Sequence, residues 1–184
     1  PEGGSADLVY PANKGYPALP PDQPLFHRFL GWIEPLSNST LRPSMKILLA
    51  DDDPIIRQVL STLLKKWEYE PGPTTNGLEA LQAIKGDPDL RIALFDWMMP
   101  ELSGLDLVRK VREMNITPFH IIMITAKDTK ESVLEALDTG ADDFVQKPFD
   151  RDILHARIKV AERSVELQSY LIQELSNAQQ EVES

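Results

Sequence analysis

The sequence predicts a doubly wound α/β domain: five parallel strands covered by helices on both faces, with an extended helix at the C-terminal end. Three features predict it. Short aliphatic or aromatic runs without polar alternation recur at Ile47 to Ala50, Ile92 to Phe95, Ile121 to Ile124 and Phe144 to Val145, as in strands buried on both faces. Segments with apolar residues at helical spacing lie between them, the alternation that builds a parallel sheet. The runs also end on polar, chemically capable residues, at the edge where such sheets bind ligands.

The first run ends at Asp51, Asp52 and Asp53, and Asp53 is placed to cap a helix whose apolar positions are Ile56, Val59, Leu60 and Leu63. The second strand is expected near Tyr69 to Thr74. Pro71 and Pro73 each remove a backbone donor there, so it can survive only at a sheet edge. The third run ends at Asp96 and is followed by Leu107, Val108 and Val111 at helical spacing. The fourth ends at Thr125 and is followed by Val133, Leu134 and Leu137. The fifth leads through Gln146 to Lys147 and Pro148.

From about Asp150 a helix runs without a Gly or Pro stop to Ser184, well beyond the ~11 to 12 residues of an average helix. Ile158, Ala161, Val165, Ile172, Leu175 and Val182 follow an alternating three-and-four spacing, interrupted by Gln168 and Gln179. This predicts a weak coiled-coil seam and a homodimer through the helix; the rival is an amphipathic helix folded back on its own domain.

Residues 1–44 hold eight of the fifteen prolines and four of the nine glycines, with no sustained periodicity. They are read as a disordered or loosely packed leader or linker, and Met45 as a natural start. An apolar patch in it, Leu25, Phe26, Phe29, Leu30, Trp32 and Ile33, is read as part of that leader rather than as a docking element. The expected organisation is therefore a leader over 1–44, a folded domain over 45–163 and a helical connector over 164–184.

Composition narrows the function. Across 184 residues, 42% are hydrophobic and 26% charged, enough for one ordinary core. The net charge of -10 opposes direct nucleic-acid binding, which depends on Lys and Arg neutralising phosphates. No cysteine is present, which removes disulfides and thiolate metal sites. No apolar run approaches the ~20 residues of a membrane span and no signal-peptide pattern opens the chain, so a cytoplasmic location is expected. His27, His120 and His155 lack the mutual spacing of a metal site and read as surface or structural.

The strand ends carry the chemistry. If the first and third strands are neighbours, Asp51, Asp52 and Asp96 crowd together, and each close pair repels by ~4 kcal/mol at 4 Å with an effective dielectric of 20. A cation must compensate. Oxygen ligands with no His or Cys favour Mg²⁺, and Lys147 supplies a second positive charge. An Asp is ionised at neutral pH and needs no general base to attack phosphorus. A phosphoryl group in transfer spreads charge over three oxygens, which the metal, the Lys147 ammonium and the Thr125 hydroxyl can each meet.

The motifs "KILLADDDP", "ALFDWMMPELSGL", "IIMITA" and "GADDFVQKPF", in this order, resemble the receiver domain of bacterial two-component response regulators, over about residues 45 to 163. The resemblance implies the flavodoxin-like (βα)5 sheet in strand order 2-1-3-4-5. It implies that Asp96 is the phosphoacceptor, assisted by Lys147 and Thr125, and that Thr125 and Phe144 form the switch pair. It also implies a Mg²⁺ site, with Mn²⁺ able to substitute, made by Asp51, Asp52, Asp96 and the Met98 backbone carbonyl; Asp52 would touch the ion directly and Asp51 partly through water. Lys147 to Pro148 would be a cis peptide. Glu68 departs from the pattern, standing where a helix-terminating Gly is common.

A protein of this kind is a signalling phosphoacceptor rather than a turnover enzyme, served by a sensor histidine kinase or a phosphotransfer protein. Its output would leave through the fourth helix, fifth strand and fifth helix toward a partner or an output domain outside this chain. The stretch "ARIKVAERSVELQ" resembles the connector leading into output domains of diguanylate cyclase or PP2C-type phosphatase class. Met98 and Lys127 flank the expected path of attacking water and neither orients it, so hydrolysis slower than in a variant with Asn at 98 and Glu at 127 is expected. Trp97, beside Asp96, would report on ligands. Two rivals remain open: a haloacid-dehalogenase-like phosphohydrolase, for which Asp51 and Asp53 would form the acidic pair, and a degenerate receiver that serves only as a protein-interaction module.

Overall fold

A computed structural model describes residues 44–126 and 129–183, apart from the side chains of 177, 178 and 180–183. Residues 1–43 of the leader, with its apolar patch and His27, lie outside the described residues, as do Lys127 and the side chain of Val182.

Five strands alternate with five helices: β1 Lys46–Ala50, α1 Pro54–Lys66, β2 Glu70–Thr74, α2 Gly77–Gly86, β3 Ile92–Asp96, α3 Gly104–Glu113, β4 His120–Thr125, α4 Lys130–Thr139, β5 Asp143–Gln146 and α5 Arg151–Glu183. All pairings are parallel and the sheet order is β2-β1-β3-β4-β5, the flavodoxin-like arrangement expected. β2 is an edge strand, as its prolines require. The Glu70 N–H donates to the Met45 carbonyl at 3.0 Å, so Glu70, Gly72 and Thr74 turn their backbone groups toward β1. Pro71 and Pro73, of opposite parity, then face away from the ladder.

The two faces bury separate cores. On one, Leu48, Phe95, Ile121 and Met123 pack with Ala80 and Ile84 of α2, Leu105, Leu107, Val108 and Val111 of α3, and Ala136 of α4. On the other, Ile47, Leu49, Ile92, Leu94, Ile122 and Ile124 pack with Leu60 and Leu64 of α1 and Leu154, Ile158, Ala161 and Val165 of α5. Continuous aliphatic strands are what burial on both faces demands.

Local sequence sets the helix ends. Asp53 accepts the N–H groups of Ile55 and Ile56 at 2.7 and 3.3 Å, and Pro54 stands in the first turn, where its missing donor costs nothing. α1 closes with Glu68 in the left-handed region (φ 66°) and the Tyr69 N–H reaching back to the Leu64 carbonyl at 2.9 Å. A glycine would meet no Cβ clash at Glu68, which is why the substitution was noticeable in the sequence. The peptide Lys147 to Pro148 is cis, as is Thr117 to Pro118, which was not expected.

Three readings need correction. Val59, expected on the buried face of α1, is 41% exposed, and Leu64 is buried instead. On α4, Leu134 and Leu137 are 49% and 41% exposed; Ala136 is buried and Val133 half-buried. The predicted seam of α5 is divided: Ile158, Ala161 and Val165 are buried against the domain's own sheet, while Ile172 and Leu175 are exposed. The helix folded back on its domain is therefore correct for its first half. α2, to which the sequence reading assigned no residues, is capped by Asn76, whose side chain accepts the Glu79 N–H at 2.8 Å.

Candidate functional site

The carboxyl ends of β1, β3, β4 and β5 meet at one edge of the sheet. Asp96 closes β3 and Asp51 follows Ala50, two positions brought together by the direct pairing of β1 with β3. Thr125 closes β4, one residue past Ile124, the register partner of Asp96. The Lys147 N–H donates to the Thr125 carbonyl at 2.7 Å, fixing the exit of β5 beside it.

Lys147 Nζ stands between the two buried acids, 2.7 Å from Asp51 Oδ2 and 2.8 Å from Asp96 Oδ1. Asp51 is 1% exposed, Asp96 7% and Thr125 3%. Each acid has a second tie to the main chain: the Asp53 N–H donates to Asp51 Oδ1 at 2.9 Å, and the Met98 N–H to Asp96 Oδ2 at 3.1 Å. Asp52, the exposed member, completes a set of three carboxylates whose ligand oxygens all lie within 4.8 Å of one another.

Burial pushes the Asp96 carboxyl above its ordinary range. The Lys147 hydrogen bond and charge pull it back, and the neighbouring Asp51 charge adds to the rise. For Lys147, burial pulls the ammonium down, but the hydrogen bonds to Asp51 and Asp96 outweigh it and the net movement is upward. One ammonium facing three carboxylates leaves the cluster short of positive charge. An all-oxygen donor set with that deficit, open to solvent at Asp52, fits a hard divalent cation such as Mg²⁺.

Of the residues singled out from sequence, Asp51, Asp52, Asp96 and Lys147 come together in contact range, and Thr125 and the Met98 main chain lie beside them. Phe144 sits in β5 opposite Met123, half-buried against the core formed with α3 and α4. Asp53 does not join the cluster: its carboxylate caps α1, so the Asp51 and Asp53 pair needed for the phosphohydrolase reading is absent. Trp97 is buried, 4% exposed, with its backbone N–H on the Ile124 carbonyl at 3.2 Å. Met98 is 65% exposed, two residues beyond Asp96, and Lys127 lies outside the described residues. His155 is structural, stacked on Trp67 with ring centroids 4.4 Å apart.

Two contributors were missed. Gly104, at the start of α3, lets that helix approach the Asp96 backbone: a Cβ there would lie 2.1 Å from the Asp96 carbonyl oxygen. Its sequence signals were its place in the motif "ALFDWMMPELSGL" and its position just after Ser103, the α3 cap. Arg57 donates from Nη1 to the Asp51 carbonyl at 2.7 Å. A basic residue in the first turns of a helix, where the dipole disfavours it, was the available clue.

Comparison with known proteins agrees with this fold. The family model described as "Response regulator receiver domain" matches residues 47–159. The chain is 36% identical over 118 residues to "Chemotaxis protein CheY1" of Helicobacter pylori (strain J99), covering 63% of this chain and 95% of that protein. Among solved structures, the Francisella response regulator 1452 receiver domain superposes with a TM-score of 0.62 at 33% identity, covering 66% of this chain and 98% of that one. A "probable two-component system response regulator/GGDEF domain protein" superposes with a TM-score of 0.63 at 29% identity, covering 66% of this chain and half (50%) of that one.

Proposed function

The chain belongs to the response regulator receiver domain family, and from that membership we propose that Asp96 accepts a phosphoryl group from a phosphohistidine and that the resulting charge switches the face formed by α4, β5 and α5. The observation that carries this is the convergence of Asp96, Asp51 and Lys147 within hydrogen-bonding distance, with Asp52 beside them. The donor would be a sensor histidine kinase or a phosphotransfer protein.

In the transfer, an Asp96 carboxylate oxygen attacks phosphorus, the P–N bond to the donor imidazole breaks with its electron pair leaving on nitrogen, and an acyl phosphate forms. Asp51, Asp52, Asp96 and the Met98 carbonyl are the groups proposed to hold Mg²⁺, or Mn²⁺ in its place. When bound, the ion supplies charge neutralisation for the phosphoryl oxygens. Lys147 is already positioned on Asp96 Oδ1 and can follow the charge as it moves outward. The Met98 N–H holds the other Asp96 oxygen, so the nucleophile is oriented before the donor arrives.

Once formed, the dianion attracts the Thr125 hydroxyl, and the space released on that side admits Phe144 from its half-buried position. β5 precedes α5 directly, so repacking there reaches the long helix. The GGDEF neighbour favours a diguanylate cyclase output over a PP2C-type phosphatase. Leu167, Leu171, Ile172 and Leu175, all at least 44% exposed, are the residues proposed to join two copies through the helix. The regions are read as a receiver over 45–163 and a connector over 164–184. No described helix is long and apolar enough to cross a membrane, and a cytoplasmic setting fits a histidine-kinase substrate.

Acetyl phosphate with Mg²⁺ tests the reading without a cognate kinase. Intact-mass analysis should show one added phosphoryl group on the native chain and none on Asp96→Asn. An unmodified native chain would leave only the protein-interaction module.

A further inference from the structure

The turn that carries the acidic pair is held from α1 by a side chain outside the carboxylate cluster. Arg57 is the fourth residue of α1, and its own N–H makes the first turn's bond to the Asp53 carbonyl at 3.0 Å. Its guanidinium runs back toward the helix N-terminus, the direction helical side chains take, and donates from Nη1 to the Asp51 carbonyl at 2.7 Å. That carbonyl belongs to the peptide unit joining Asp51 to Asp52.

Every other polar group of Asp51 is engaged as well. Its N–H reaches the Thr74 carbonyl at 3.4 Å, Oδ1 takes the Asp53 N–H and Oδ2 takes Lys147. Asp52 lacks such ties: among the described residues no hydrogen bond to its carboxylate is present, and it is exposed. The orientation of Asp52 therefore depends on the peptide plane before it, and Arg57 is the side chain that holds that plane. The guanidinium also lies near the β2 to α2 connection. There the Thr75 N–H holds the Glu79 carboxyl below its ordinary range, and the Arg57 charge adds to that lowering.

We infer that Arg57 is a positioning residue for the divalent-cation site, fixing the Asp51 to Asp52 peptide so that the Asp52 carboxylate is aimed at the ion. This rests on the reading of the carboxylates as a Mg²⁺ site. Groups that orient a metal's ligands typically control affinity by ten- to a hundredfold. The bare charge of Arg57 acts in the opposite sense, because a guanidinium near three carboxylates repels a dication and its removal alone would tighten binding. The direction of the change separates positioning from mere proximity.

The test is calorimetric titration of the metal-free native chain, Arg57→Met and Arg57→Lys with MgCl₂, beside thermal melting without metal. Met keeps the aliphatic stem and loses donor and charge; Lys keeps both. Positioning predicts Mg²⁺ affinity about tenfold weaker in the Met variant, within about threefold of native in the Lys variant, and nearly equal melting of all three. Unchanged or tighter binding by Arg57→Met overturns the inference and leaves the phosphoacceptor reading standing. A native chain that binds no Mg²⁺ overturns both. A Met variant that fails to fold assigns Arg57 to stability and overturns the positioning role.

Discussion

The two ends of the sheet each hold a cationic side chain among oxygens, and they are built differently. At the carboxyl end Lys147 faces Asp51 and Asp96 with Asp52 alongside, and even with the Arg57 guanidinium on the Asp51 carbonyl the three carboxylates outnumber the positive charges; the two paired acids are buried. At the amino end Arg112 divides its donors among the Gly140 carbonyl (2.8 Å), the Phe119 carbonyl (2.8 Å) and Asp142 Oδ2 (2.6 Å), and Asp142 also takes the Ile121 N–H at 2.7 Å. There one positive charge meets one negative, and the remaining donors satisfy carbonyls at the ends of β4 and α4. A matched cluster is complete in itself and serves as a clasp. The unmatched one stays receptive to further positive charge, which is why it is the one proposed to hold a cation.

Lys147 is where the contrast between the two ends can be broken most forcefully. Lys147→Met leaves Asp51 and Asp96 buried without a counter-charge, and losing one member of a buried ion pair costs about 3 to 5 kcal/mol. Urea unfolding without divalent ions should show a loss of that order, and MgCl₂ should restore part of it. A variant as stable as native would mean the acids need no compensation.

Arg112→Met should cost less, about 2 kcal/mol for charge-assisted bonds to partly exposed partners, and should leave Mg²⁺ affinity at the far end unchanged. Altered affinity would show that the ends are not independent.

The smallest effect concerns His120, at the start of β4. Burial pushes its imidazole below the usual range and the Arg112 charge adds to this, while Asp142 and Asp143 oppose it. With its folded value depressed, the unfolded chain binds the proton more readily. The stability His120 contributes is present above about pH 6.5, its unfolded value, and is lost as pH falls through the folded one. NMR titration of the imidazole should place it higher in Arg112→Met than in the native chain, and an unmoved value would detach His120 from the clasp.

Much of this was legible in the chain itself, for identifiable reasons. Strands buried on both faces write themselves as unbroken aliphatic runs, and a parallel sheet collects their polar ends, so Asp51, Asp96, Thr125 and Lys147 could be placed together. Pro71 and Pro73 located an edge because a missing donor is a topological constraint. Helix faces were harder to read. On α4, Val133 with Leu134 and Ala136 with Leu137 fit the same spacing, and the close packing of small Ala136 decided between them. On α5 the heptad pattern runs on past the last residue buried on the domain, and spacing alone does not show where that packing ends. Gly104 and Arg57 matter because of what a backbone atom meets in three dimensions, at the Asp96 and Asp51 carbonyls, and no periodicity carries that information.

Val165 is the last buried side chain described on α5, yet the helix continues to Glu183. At a rise of ~1.5 Å per residue the remaining 18 positions form a rod roughly 27 Å long, pivoted where it leaves the sheet. Pivoting by about 10° at that fulcrum would carry the tip through roughly 5 Å, close to one turn of helix. Motion too slight to disturb the core would thus arrive at the far end as a displacement large enough to change what a neighbour touches.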